Sequence, residues 1–97
     1  MSYTALFRAK AARDHLPFVR QALIKLASAS LEEPGTLRYD FYQSQEEPTE
    51  IMLFGEWKSE VDWQAHMAGR AHTQYVASLP EGAWDVPPAQ TRLTPIK

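Results

Sequence analysis

Ninety-seven residues, 44% hydrophobic and 23% charged with a formal net charge of -2, describe one globular domain over residues 1–97, since a single core normally serves chains of about 100–150 residues. The absence of cysteine excludes disulfide frameworks, thiolate metal sites and cysteine nucleophiles together. No basic excess points to a nucleic acid or an anionic membrane as partner. No segment approaches the roughly 20 apolar residues of a membrane span, so a cytoplasmic protein is expected.

Residues 2–10 alternate, with Tyr3, Ala5, Phe7 and Ala9 set against Thr4, Leu6, Arg8 and Lys10, which predicts a first strand. Asp14 then reads as an N-cap with Pro17 in the first turn. Leu16, Val19, Leu23 and Leu26 recur at helical spacing, giving a helix from about 14 to 32. The helix must end before Glu33, because the residue preceding Pro34 is biased away from helical angles. Pro34-Gly35 signals a turn, and Leu37, Tyr39 and Phe41 alternate after it as a second strand. The polar run from Gln45 to Thr49 is a hairpin loop. Glu50 to Trp57 is a third strand, with Ile51, Leu53 and Gly55 on one face and Met52, Phe54 and Glu56 on the other.

Ser59-x-x-Asp62 resembles a capping box and opens a helical segment that Gly69 interrupts; a second piece runs from about Arg70 to Leu79. Residues 80–89, with Pro87-Pro88, read as a loop, and Gln90 to Ile96 as a last strand. The order β-α-β-β-α-β with right-handed crossovers predicts an α+β ferredoxin-like domain, a four-stranded antiparallel sheet with helices on one face. The other face is apolar enough to need cover. A second copy related by a two-fold axis would supply it, giving a homodimer.

Two residues suit acid–base chemistry. Glu56, at the edge of an apolar cavity, would hold its proton more tightly and could donate or accept it; the alternative is a structural ion pair. His66, in mid-helix, could face the same cavity as a proton shuttle or be a packed histidine. His72 follows six residues on, a rotation of about 240° on a continuous helix, so only a break at Gly69 would bring the two rings together. No metal site is therefore expected from Glu56, His66 and His72. Trp57, Trp63, Tyr39, Tyr42, Phe54 and Tyr75 provide aromatic surface for a flat apolar ligand or, equally, for a core. No phosphate loop, nucleophile elbow or dinucleotide fingerprint occurs.

The run Glu33-Pro34-Gly35-x-Leu37-Arg38-Tyr39-x-x-Tyr42-Gln43, the loop proline Pro48, the strand ending Glu56-Trp57, and His66 followed by His72 resemble the antibiotic biosynthesis monooxygenase domain family over about residues 32–78. The resemblance implies a dimeric α/β barrel of two ferredoxin-like subunits. It also implies oxidation of quinol- or anthrone-like aromatics by molecular oxygen without metal, flavin or other cofactor, the substrate anion itself activating oxygen. By that analogy Glu56 and His66 are the acid–base residues, and Trp57, Trp63, His72 and Tyr42 bind substrate. The family's haem-degrading branch relies on an asparagine, which this chain lacks altogether. Another branch, similar in its EPG-x-LR stretch, isomerises the phosphorylated autoinducer-2 signal by proton transfer on a small ketone. The expectation is thus a cofactor-independent monooxygenase, with a proton-transfer isomerase or a non-catalytic ligand-binding dimer as alternatives.

Overall fold

A computed structural model describes residues 2–96. Its elements are β1 (Tyr3–Ala11), α1 (Leu16–Leu31), β2 (Thr36–Gln43), β3 (Glu50–Trp57), α2 (Glu60–Ala68), α3 (Arg70–Ser78) and β4 (Trp84–Leu93). The strands form one antiparallel sheet in the order β2-β3-β1-β4, the ferredoxin-like arrangement that the alternation patterns predict. No helix among the described residues is long and apolar enough to cross a membrane.

Two expectations need correction. Asp14 does not cap α1: it lies in a short 3-10 turn, Arg13–His15, and the helix starts at Leu16 behind His15 with no side-chain cap. Pro17 takes one of the first helical positions, where a missing N–H costs nothing. The last strand begins at Trp84, not Gln90, and so contains Pro87 and Pro88. Proline removes a ladder donor, which is tolerated on an edge strand, and β4 is the edge beside β1. The register between β1 and β4 shifts after Arg8, so the proline pair sits at an irregularity of the ladder.

The helices cover one sheet face. β1 contributes Tyr3, Ala5, Ala9 and Ala11 to that face and β3 contributes Ile51, Leu53 and Trp57, all buried. One cluster gathers Tyr3, Leu26, Tyr39, Leu53 and Trp57; a second gathers Ala11, Val19, Leu23, Ile51 and Ala83. Because β1 offers mostly alanine here, sheet and helices do not meet everywhere, and space remains between the clusters.

Two glycines set this packing. The Trp57 indole lies over Gly55, where a Cβ would stand 2.8 Å from Trp57 Cζ3. Gly35 has φ +86° and its carbonyl accepts the Lys58 N–H at 2.8 Å. A Cβ there would press into the Asp62 carboxyl, 2.6 Å from Oδ1. Gly35→Ala thus adds left-handed strain to an overlap with Asp62 in the first turn of α2, and should cost about 2–4 kcal/mol. Chemical denaturation checks this; a loss below about 0.5 kcal/mol, the level of neutral surface changes, would contradict it.

α2 opens as predicted. Ser59 Oγ accepts the Asp62 N–H at 3.3 Å and donates to Asp62 Oδ2 at 3.0 Å. Gly69 ends α2 with extended angles, and α3 starts anew from it in a different direction.

Candidate functional site

The gap under the helices is a cavity of about 320 Å³, within the lower part of the range that holds small ligands. Its walls come from all layers: Phe7 and Ala9 of β1, Leu23 and Leu26 of α1, Tyr39 and Phe41 of β2, Leu53 of β3, His66 of α2, His72 and Tyr75 of α3, and Trp84 and Gln90 of β4. Gln90 is exposed, so the cavity reaches solvent along β4. The lining is apolar apart from Arg8 of β1, Gln90 of β4 and a few groups on the helical and β2 sides.

His66 is the centre of that polar set. It occupies the last turn of α2 and is 3% exposed. Its ring packs against Trp57 at 5.4 Å and Tyr39 at 5.0 Å between centroids. Nδ1 lies 2.7 Å from Oε1 of Glu33. A carboxylate only accepts, so Nδ1 donates, and Nε2 is the nitrogen left for a bound molecule. Glu33 stands between α1 and β2, its N–H donating to Ser30 and its carbonyl accepting from Thr36.

The break at Gly69 lets α3 turn His72 toward His66, with ring centroids 5.6 Å apart, although six steps along one helix would separate them. Burial, and then the neighbouring His66, lower the His72 pKa below the ordinary 6.5. Burial raises the phenol of Tyr75 to about 12 and that of Tyr39 further still. Both tyrosines therefore stay protonated and serve as hydrogen-bonding walls, which leaves the two imidazoles as the cavity's candidate proton carriers.

The depressed His72 pKa makes a stability prediction. As pH falls through 6.5, the unfolded chain takes up this proton before the folded one does, so stability declines below 6.5 and is unaffected by His72 above it. His72→Gln should flatten that part of the acid loss in thermal melts recorded over a pH series. Parallel profiles for variant and parent would contradict the assignment.

Of the residues singled out in the sequence, His66 and His72 meet on the cavity wall. Trp57 is fully buried behind His66 and seats it rather than lining the space. Trp63 stacks on Tyr3 at 4.9 Å in the core. Tyr42 is 52% exposed and borders a separate groove with Arg20 and Ile24 at the β2 edge. Glu56 is not brought to His66. It alternates with the buried Gly55 and Trp57 and pairs with Thr4 and Arg38, which places it on the open face of the sheet. The carboxylate that touches His66 is Glu33, which the sequence marks as a helix stop and as part of a motif but not as a site residue. Its place at the head of the Glu33-Pro34-Gly35 motif was the signal available. Among the described residues no three His, Asp or Glu side chains converge as a metal-ligand set.

Comparison with known proteins places the fold. The chain matches the family model for antibiotic biosynthesis monooxygenase over residues 2–78. A Nitrosomonas europaea protein bearing that family's name superposes with a TM-score of 0.91 at 21% identity, covering 98% of this chain and 90% of its own. A Mycobacterium tuberculosis structure superposes at 0.89 with 24% identity, covering 100% and 97%. Another structure, named an antibiotic biosynthesis monooxygenase, gives 0.90 at 16% identity and covers both chains fully. At such identities the structures establish the shared fold alone. No curated protein matches the chain by sequence. With four-fifths of its length inside the family model, the chain belongs to the antibiotic biosynthesis monooxygenase family.

Proposed function

We propose that this protein is a cofactor-independent monooxygenase that oxidises a quinol- or anthrone-like aromatic with molecular oxygen, using His66 as the proton acceptor. The observation that carries the reading is a nearly inaccessible histidine, Nδ1 engaged by Glu33 and Nε2 free, in the wall of a mostly apolar cavity. Such a site selects a planar apolar substrate by packing and offers one base to its acidic C–H or O–H.

For an anthrone, the ring-methylene C–H breaks, its proton passes to His66 Nε2, and the electron pair stays on the substrate as a carbanion. The carbanion reduces oxygen and forms a C–O bond, giving a peroxide anion that recovers the proton from Nε2. The hydroperoxide then eliminates water to leave the ketone, so one oxygen atom enters the product and the other leaves as water. The protein's contributions are orientation, proton transfer and exclusion of bulk water from the carbanion.

The assembly we propose is a homodimer through the open sheet face. Leu6 and Phe54 face each other across β1 and β3 at its centre, with Met52 and Tyr42 beside them and Leu93 across from Thr4. None of these is buried in the single chain. Burying such a face against its own copy is the closed solution for a self-complementary patch.

Oxygen-electrode traces on metal-stripped protein with a panel of quinols and anthrones test the function. Uptake of one oxygen per substrate supports the monooxygenase. Turnover of a small phosphorylated ketone with no oxygen uptake would replace it with the isomerase, and tight binding without turnover would leave a ligand-binding protein.

A further inference from the structure

We propose that Glu33 is the positioning residue of His66: through the 2.7 Å contact of its Oε1 with Nδ1 it holds the neutral ring as the Nδ1–H tautomer, aims Nε2 at the bound substrate, and balances the charge when Nε2 takes a proton. This role rests on His66 being the proton acceptor.

The His66 side chain is 2% exposed and the Glu33 side chain 24%. A buried imidazole that gains a proton becomes a buried cation, a state that is costly without a hydrogen-bonded counter-charge. Glu33 is the one carboxylate within hydrogen-bond distance of His66 among the described residues, and Glu56 is on the other side of the sheet. The second imidazole does not fill this role, since His72 faces His66 edge to face at 5.6 Å and protonation there would add like charge.

Glu33 is itself held from several directions. Its N–H bonds the Ser30 carbonyl just past the end of α1, Pro34 fixes the chain direction after it, and the positive-φ Gly35 ties the next turn to Lys58. Its other oxygen lies against Gly69, 3.4 Å from where a Cβ there would stand. In the proposed cycle the substrate C–H or O–H bond breaks and Nε2–H forms, while Nδ1–H stays bonded to Glu33. Imidazolium and carboxylate face each other until the peroxide oxygen takes the Nε2 proton back and restores the neutral ring.

The test uses the full chain as Glu33→Gln and Glu33→Ala, with His66→Gln and the double variant E33Q/H66Q beside them. Nitrogen-15 NMR of the histidine rings, at a pH where they are neutral, reads the tautomer without any substrate. In the parent protein, His66 should show a protonated Nδ1 and a bare Nε2. Glu33→Ala should move it toward the Nε2–H tautomer. Glu33→Gln, whose amide oxygen can still accept from Nδ1, should retain the parental pattern.

In oxygen uptake, kcat should fall about 100-fold for Glu33→Ala and less for Glu33→Gln, with KM changed under about threefold, because charge balance matters in the transition state and not in binding. Glu33→Gln should cost nothing further once His66 is glutamine. A parental His66 already in the Nε2–H form, or an Ala variant with an unchanged ring spectrum, overturns the inference whatever the activity. A parent that shows the expected tautomer but consumes no oxygen would leave the positioning intact and remove the monooxygenase reading instead.

Discussion

His66→Gln should lower the oxygen-dependent turnover of a quinol or anthrone by about 10²–10⁴-fold, the usual contribution of a positioned general base, with little change in KM. The substitution is chosen because glutamine approximates the volume of histidine and can present an amide N–H to Glu33, so the contacts with Trp57 and Tyr39 are not left facing a void. Alanine would empty a fully enclosed position and mix a packing loss with a chemical one. The two tyrosines of the cavity cannot substitute as bases, because burial keeps both phenols protonated. His72 is the one group that could take over part of the role. A double variant lacking both imidazoles should therefore fall below His66→Gln and keep only what orientation and water exclusion contribute. Steady-state oxygen uptake on protein whose melting curve matches the parent checks the prediction; a variant with more than about a tenth of parental kcat, well above what loss of a general base allows, would contradict it.

Phe54→Lys should convert the proposed dimer to a monomer in light scattering. Phe54 sits at the middle of the open face, opposite Leu6 on one side and Asp40 on the other, and Arg38 already lies 4.4 Å over its ring. A lysine there can reach Asp40 across the strands, a favourable pair for the single chain. Each half of a two-fold interface would bring one such cation into the contact, and stripping water from a charge there costs several kcal/mol that the pair with Asp40 does not fully offset. The folded subunit should therefore persist while association fails. A parent that already runs as a monomer would remove the sheet-to-sheet dimer, and a variant that stays dimeric would move the interface to another surface.

Local patterns carried the fold well and the site only in part. The strict alternation of Glu50 to Trp57 gave the third strand its correct limits and faces, because a two-residue period is a local property. Pro87-Pro88 misled, since proline argues against a strand only where the N–H must be paired, and whether β4 is an edge depends on the whole sheet. The same period of two explains Glu56: adjacent to Trp57 in sequence, it necessarily points to the opposite face. Glu33 and His66 are 33 residues apart, and their contact follows from how α2 docks over the β2 side of the sheet, which no spacing in the chain encodes. The convergence of His66 and His72 turned on Gly69, whose break was visible, while the direction in which α3 departs was not.

The most direct test of the proposed chemistry is to bind an anthrone or quinol to the protein without oxygen and record its absorption spectrum. If His66 is the base, the parent should show the substrate anion band, His66→Gln should bind the same compound in its neutral form, and admitting oxygen should discharge the band as product appears. Binding of the neutral compound by both proteins, with no anion at any stage, would contradict the account.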